Sequence, residues 1–286
     1  MKKKFLIAAS LLIALAFFTT CKKSKEDQTD PITGPPASNK IETSCTDLNL
    51  FGIAKDKEFG QAAFAYYSNK DSSGNIVMDS ATYSNAYKYL YSIRDEIFSK
   101  VTVDHESDFE WKMRIIKDDT TLNAFCTPGG YIFVYTGIIK YLDSEDDFAG
   151  VLGHEIGHAA LRHSTDAMTK QAGTTLILQA IGGDQSAIVN IVRNLGALKY
   201  SRCHESQADE YSVLLLQNTK YKCNGAASFF DKIVKQGGAR TPAFLSTHPD
   251  PGDRVTNINA KGTQLNCVTK VPYTSGWAQF KTDLGL

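Results

Sequence analysis

The stretch VLGHEIGHAALRH, residues 151–163, carries three of the six histidines of this 286-residue chain. His154 and His158 are four residues apart, so on a helix they project from one face, about one turn apart. This spacing lets two imidazoles bind one metal ion. Glu155 is adjacent, where its carboxylate can reach a water molecule on that ion. The pattern HExxH is typical of zinc hydrolases, in which the glutamate is the general base.

A catalytic zinc ion needs a third protein ligand and an open fourth position. His163 follows His158 by five residues, which corresponds to about 140° around a helix. The pattern offers no glycine that would break the helix and return His163 to the ion, because positions 161 and 164 hold Leu161 and Ser164. We therefore predict that His163 is not a ligand and that it is a solvated histidine or one in the last helical turn.

A better third ligand lies in KYSRCHESQADEYSVLL, residues 199–215. This segment has a helical pattern, and Glu205 and Asp209 are spaced i, i+4 on one face. A carboxylate from a second helix can complete a His, His, Glu site, and the aspartate can accept the free ring N–H of a ligand histidine. An isolated ExxxD pattern is usually a solvated face. His204 is an alternative ligand, but it points about 100° away from Glu205.

The elements that must position these residues are mostly helical. Helical spacing of apolar residues, with cap residues before the HExxH segment, covers 47–100, 143–163, 166–218 with a break at 182–183, and 225–236. Two β-like runs, separated by a loop, cover 109–117 and 131–139, and the chain from Gly237 onward is loop-rich. Because helices and strands are segregated, we predict an α+β domain that is mostly helix with a small sheet.

The N-terminus has the layout of a secretory signal, with basic MKKK, an uncharged run of 14 residues at 5–18, and then small residues. A spanning helix needs roughly 20 apolar residues. Cys21 stands where a bacterial lipoprotein signal places its lipidated cysteine, although Phe18 and Thr20 depart from the usual residues. We predict an exported lipoprotein anchored to a membrane surface and facing the periplasm or extracytoplasmic space, with simple cleavage or retention as the alternatives. The predicted parts are a signal at 1–20, a lipidated cysteine and flexible tether at 21–45, and a folded domain at 46–286.

The composition excludes some functions. Lys and Arg together number 31, as do Asp and Glu, so there is no charge footprint for nucleic acid. No phosphate-binding glycine loop is present. An extracytoplasmic setting permits two disulfides and one free thiol, or simply buried cysteines, and the pairing cannot be derived from the sequence. The five cysteines concerned are Cys45, Cys126, Cys203, Cys223 and Cys267.

Four ordered blocks resemble the zinc metalloendopeptidases of the HtpX, BepA, LoiP and CAAX prenyl protease type, metallopeptidase family forty-eight. The blocks are NAFCTPGGYIFVYTGII (123–139), GVLGHEIGHAALRH (150–163), YSRCHESQADEYSV (200–213) and FLSTHPDPGDRVTNI (244–258). The chain resembles the small lipoprotein-type members, because it has neither the hydrophobic spans of the polytopic members nor TPR-like repeats. The resemblance implies a zincin-like (gluzincin) fold in which an edge strand of the sheet lines the active-site cleft.

The resemblance also implies roles for individual residues. His154, His158 and Glu205 would bind one Zn²⁺ per chain, with Glu155 as the catalytic base and Asp209 behind a ligand histidine. His248 would approach the site with Arg254 nearby, as a proton donor, an oxyanion stabiliser or a cap on resting zinc. The substrate edge strand would include Asn123, Ala124, Phe125, Gly129 and Gly130. Cys126 and Gln207 depart from the usual family residues, which are small or acidic, respectively.

The function implied is hydrolysis of peptide bonds in membrane-associated or misfolded envelope proteins, with proteins or peptides as substrates. One alternative is a non-proteolytic chaperone or assembly factor at the membrane surface. Another is a structural metal site closed by four protein ligands. The oligomeric state does not follow from the sequence.

Overall fold

The computed structural model describes residues 41–69, 74, 76–236, 243–250, 252–270 and 276–286. Cys21, the signal at 1–20 and most of the tether lie outside these residues. The helices are α1 Ile53–Ser68, α2 Ser84–Lys100, α3 Thr136–Tyr141, α4 Glu145–Ala160, α5 His163–Gln171, α6 Thr174–Ile181, α7 Gln185–Asn194, α8 Arg202–Leu216, α9 Gly225–Gln236, α10 Ala243–Thr247, α11 Arg254–Gln264 and α12 Trp277–Asp283. The strands are β1 Met113–Ile116, β2 Ala124–Thr127 and β3 Tyr131–Tyr135. The predicted α+β class, mostly helix with a small sheet, is confirmed.

The three strands form one sheet in the order β1-β3-β2. β1 runs parallel to β3, and β2 runs antiparallel to it with Phe125 opposite Phe133. The rings of these two residues stack with centroids 4.9 Å apart. The turn between β2 and β3 contains Gly129 and Gly130 at φ 78° and 81°, backbone angles that favour glycine. In the order β1-β3-β2, β2 lies at an edge of the sheet.

Some element boundaries differ from the sequence-based prediction. The segment predicted as a loop between the two β-like runs contains β2, because its short apolar run pairs with β3. The second β-like run ends at Tyr135, and the chain continues directly into α3. The region after Gly237, predicted to be loop-rich, contains α10, α11 and α12. Tertiary packing fixes these short elements, and local periodicity carries little information about them.

Helix α4 positions the HExxH residues, and both of its ends are clearly defined. Ser144 and Asp147 form a capping box, with Asp147 N donating to Ser144 Oγ at 3.1 Å and Ser144 N donating to Asp147 Oδ2 at 3.1 Å. The helix ends at Ala160, before Arg162 adopts left-handed backbone angles of φ 59° and ψ 30°. The next helix, α5, then starts at His163. The helix predicted for 143–163 is thus confirmed, except that it ends three residues early.

Small residues let α8 approach α4 closely. A Cβ atom on Gly153 would lie 2.9 Å from Ser212 Oγ, and one on Gly157 would lie 3.3 Å from the backbone oxygen of Ala208. Since Gly153 and Gly157 each precede one histidine of the HExxH motif, this close packing brings the acidic residues of α8 to the two imidazoles.

The chain is held against the helices from its first described residues. Residues 41–51 have no regular secondary structure, and the backbone N–H of Leu48 donates to Asp166 Oδ1 of α5 at 2.6 Å. A disulfide joins Cys45 to Cys203 of α8 across a sequence separation of 158. This segment therefore links α5 to the helix that carries Glu205.

The second disulfide joins Cys223 to Cys267, and the free thiol among the described residues is the buried Cys126. This outcome matches the option of two bridges and one thiol. Across the described part of the chain, every helix is too short or too polar to cross a membrane.

Candidate active site

The two histidines of the HExxH motif point from α4 toward Glu205 of α8. Nε2 of His154 lies 3.4 Å from Glu205 Oε2, and Nε2 of His158 lies 3.3 Å from Glu205 Oε1. The two Nε2 atoms are 3.0 Å apart. His248, immediately after α10, places its Nδ1 3.1 Å from Glu205 Oε1 and 3.3 Å from His154 Nε2. Four side chains from three parts of the sequence thus converge on one point.

This donor set fits a single metal ion. At zinc–nitrogen distances of 2.0–2.1 Å, the ligand atoms of a tetrahedral site lie about 3.3 Å apart. The distances just given match that spacing, and the four ligand atoms all lie within 4.8 Å of one another. All four side chains are fully buried. Beside them, neither carboxylate oxygen of Glu155 has a hydrogen-bond partner among the described residues. The four side chains could hold a metal ion, and the free carboxylate suits a reactive partner beside it.

Asp209 lies behind His154, where the sequence predicted it. Its Oδ1 is 2.9 Å from His154 Nδ1, so the opposite ring nitrogen faces the donor set. Arg254 binds the same carboxylate through two hydrogen bonds, from Nε at 2.9 Å and from Nη2 at 2.6 Å. Arg254 Nη2 is also 3.3 Å from Glu205 Oε2. Arg254, which the resemblance placed only near the site, therefore contacts both Glu205 and Asp209 of α8.

A different set of groups lies behind His158. Its Nδ1 is 2.9 Å from Nδ1 of His163, whose Nε2 is 2.9 Å from Oε1 of Gln207. The ring of Tyr200 stacks on His158 with centroids 3.9 Å apart. Burial lowers the pKa of His163 to about 3, so its ring is neutral. The contacts of His163 with His158 and Gln207 did not follow from the sequence. The polar residues spaced along α8 were the signal that could have indicated them.

The prediction that His163 is solvated is wrong, because the residue is fully buried. The angle of 140° assumed that one helix continues through His163, whereas α4 ends at Ala160 and the left-handed Arg162 redirects the chain. His163 nevertheless lies outside the four-donor set. His204 also points away from that set, with Nε2 3.0 Å from Asp47 Oδ1.

The surroundings strongly shift the proton affinities of the donors. Burial disfavours the charged form of His154, but hydrogen bonds to Asp209 and Glu205 outweigh it and raise the pKa of His154 to about 9. For His158 burial prevails and holds the pKa well below its usual value. The pKa of Glu205 lies well below its ordinary value, because the surrounding imidazoles outweigh burial. Near neutral pH, His154 of the metal-free protein therefore carries a proton on both ring nitrogens and is positively charged.

Glu155 is set apart from the other acids of the site. Burial raises its pKa, while the nearby histidines and the backbone amide of Cys126 in β2 act in the opposite direction. Its Oε1 lies 3.6 Å from Nε2 of His248. The predicted base thus lies between the donor set and the edge of the sheet.

The residues assigned to the substrate edge strand lie in and around β2. Asn123 precedes the strand, Ala124 and Phe125 belong to it, and Gly129 and Gly130 form the following turn. All five are buried. β2 pairs with β3 on one side only, so its other side is free of strand pairing within the sheet.

Comparison with known proteins identifies the family of the chain. The sequence profile of peptidase family M48 matches residues 84–261. Mitochondrial metalloendopeptidase OMA1 of Schizosaccharomyces pombe is 33% identical over 164 residues, which are 55% of this chain and 48% of that protein. Metalloprotease YcaL of Escherichia coli is 30% identical over 240 residues, 79% of this chain and 91% of that protein. The beta-barrel assembly-enhancing protease of E. coli is 26% identical over 160 residues, 50% of this chain and 33% of that protein. The chain thus spans about half or less of OMA1 and of the assembly-enhancing protease.

Two of these relatives are named as a metalloendopeptidase and a metalloprotease, and the fold and the donor set agree with that class of protein. The chain belongs to peptidase family M48. The resemblance inferred from the four sequence blocks is therefore confirmed.

Proposed function

We propose that the chain is a zinc-dependent endopeptidase that holds one zinc ion on His154, His158 and Glu205. The observation that carries this proposal is the buried donor set at tetrahedral spacing. Beside it lies the carboxylate of Glu155, which has no hydrogen-bond partner among the described residues. When bound, zinc supplies a Lewis acid that polarises a carbonyl group and makes water more acidic.

The residues of the chain would move protons and orient the substrate. Glu155 takes a proton from the attacking water and passes it to the leaving amine, and its raised pKa suits both transfers. Asp209 fixes the ring of His154 through Nδ1. The open edge of β2, a strand that packs against α4, pairs with an extended segment of substrate beside Glu155.

His248 is the fourth member of the donor set in this conformation. Its Nδ1 lies 3.3 Å from His154 Nε2 and 3.1 Å from Glu205 Oε1, the spacing expected between ligands of one ion. We propose that it caps a resting site and withdraws when substrate enters, which leaves its imidazole free to stabilise developing charge. The same observation also favours a second candidate, a structural site closed by four ligands. Assays of wild type and the His248→Ala variant distinguish the two candidates. If His248 only caps a catalytic site, the variant keeps its zinc and still hydrolyses peptides. If the zinc site is structural, neither wild type nor the variant hydrolyses peptides.

The main test compares wild type with Glu155→Gln. The variant should keep one zinc ion per chain and lose hydrolysis of casein by at least about a hundredfold, because proton transfer is removed while the donor set is intact. Glu58→Gln, an exposed change in α1, serves as the matched control and should behave as wild type. Equal cleavage by Glu155→Gln and wild type would refute the proposed mechanism.

We further propose that the substrates are membrane-associated or misfolded envelope proteins, reached from a lipid anchor at Cys21. The secretory layout of the N-terminus and a relative named beta-barrel assembly-enhancing protease support this proposal. The alternative is a non-proteolytic assembly factor, which has no need of a base such as Glu155. Sequencing of peptides released by wild type but not by Glu155→Gln tests both activity and substrate choice.

A further inference from the structure

His158 is connected to a chain of polar groups that leads away from the donor set. Its Nδ1 meets Nδ1 of His163 at 2.9 Å, and His163 Nε2 meets Gln207 Oε1 at 2.9 Å. Nε2 of Gln207 then donates to the backbone carbonyl of Thr43 at 3.1 Å. His158 and His163 are fully buried and Gln207 is 8% exposed, so their donors and acceptors must be matched to one another.

The direction of these hydrogen bonds is fixed at the outer end. A backbone carbonyl can only accept, so the amide nitrogen of Gln207 faces Thr43 and its oxygen faces His163. That oxygen can only accept, so His163 carries its hydrogen on Nε2 and presents a lone pair at Nδ1. His158 must therefore donate from Nδ1, which leaves the lone pair of its Nε2 directed at Glu205.

We propose that Gln207 and His163 form a positioning relay that selects the metal-binding tautomer of His158. The proposal rests on the proposed zinc site and deepens it. His154 is oriented by a carboxylate, whereas His158 is oriented by an imidazole and an amide. Neither relay residue belongs to the donor set, so both act only through His158. The outer end of the relay contacts the backbone of Thr43, in the segment that precedes α1.

Two variants at position 163 isolate the hydrogen bond. His163→Asn and His163→Leu have nearly the same size, and both lose the stacking of the imidazole on His204, whose centroid lies 4.3 Å away. Of the two, only asparagine has an oxygen that can accept a hydrogen bond from Nδ1 of His158. Removing the group that orients a ligand histidine typically weakens metal binding 10–100-fold. We expect His163→Leu to bind zinc at least about tenfold more weakly than His163→Asn.

The experiment measures zinc dissociation constants by competition with a chelator, using full-length protein that carries Glu155→Gln to prevent self-cleavage. Imidazole ¹⁵N NMR of the zinc-loaded protein should show His158 bound through Nε2 with a hydrogen on Nδ1. A second pair covers the case in which His163→Leu fails to fold. Gln207→Met removes the acceptor of the relay without adding a charge, so this variant should bind zinc more weakly than the protein that keeps Gln207.

The results separate the relay from the proposed function. Equal zinc affinities within each pair, in a background that binds zinc, would overturn the relay alone, as would binding of His158 through Nδ1. Absence of zinc binding in the unmodified protein would overturn the proposed function and the relay with it. Thermal melting of the metal-free variants shows that any difference in affinity does not come from unfolding.

Discussion

Asp209→Asn should destabilise the metal-free domain, because it removes the charge that balances a buried guanidinium. Arg254 is 3% exposed and donates two hydrogen bonds to Asp209, which is 4% exposed. After the substitution, the nearest carboxylate to Arg254 is that of Glu205, with 3.3 Å between Nη2 and Oε2. The asparagine amide also places a donor against the guanidinium.

The expected loss follows from the burial of both partners. Breaking a buried pair by removing one charge costs about 3–5 kcal/mol. We expect about 3 kcal/mol, because Glu205 still balances part of the Arg254 charge. For a domain of this size, that loss lowers the melting temperature by roughly 6–12 °C. Zinc binding should weaken by about tenfold, the lower end of the usual range, because the asparagine oxygen can still accept from His154.

The assay is a double-mutant cycle with Asp209→Asn, Arg254→Met and the two combined. Chemical denaturation is followed in chelator, so that bound metal does not contribute to the free energy of unfolding. The double variant has neither an unpaired carboxylate nor an unpaired guanidinium. Its loss should therefore be smaller than the sum of the single losses by about 2 kcal/mol. Its zinc affinity should stay low, because Nδ1 of His154 still faces no carboxylate.

Additive losses, within about 0.5 kcal/mol, would refute the pairing of Asp209 with Arg254 as the source of the effect. Asp231→Asn provides the matched control. It removes the same charge from an exposed i, i+4 pair with Lys235 and should cost less than about 0.5 kcal/mol.

Two further predictions concern pH and the first disulfide. Apparent zinc affinity should rise about tenfold per pH unit from pH 7 and level off near pH 9, because His154, with a pKa of about 9, must lose its proton before it binds metal. Chelator competition at several pH values measures this, and an affinity unchanged between pH 7 and 8.5 would contradict it. Cys45→Ser and Cys203→Ser should each lower the free energy of unfolding by about 2–4 kcal/mol, since the bridge spans 158 residues. The double variant should lose no more than either single variant, and additive losses would show that the bridge is not the cause.

The metal-binding helix was predictable because its information is local. The spacing of His154 and His158, and the cap at Ser144, lie within one helix and can be derived from helical geometry alone. Glu205 was different, since an isolated ExxxD pattern is usually a solvated face. Its spacing made it a candidate ligand, and the resemblance added the assignment. Its convergence with the histidines depends on the packing of α4 against α8, which involves residues distant in sequence.

The error at His163 has a physical cause. A regular helix would have carried the residue away from the ion, and the sequence marks no break with glycine or proline. The break occurs at Arg162, a residue type that rarely adopts left-handed angles, and the Arg162 side chain forms an ion pair with the buried Asp56. The local sequence pattern therefore could not predict this turn, because the turn is accompanied by a contact between Arg162 and Asp56, which is 106 residues away in sequence.

Charge balance explains why the two ligand histidines are oriented by different groups. Glu205 and Asp209 are both buried and Arg254 balances only one of them, so in the metal-free protein the proton on His154 balances the other. A third carboxylate placed behind His158 would add a buried negative charge with no cation to match it, at a cost of several kcal/mol. A neutral imidazole and amide orient His158 without that charge. The relay thus orients His158 without adding a buried charge. Metal binding then has to displace only the proton on His154.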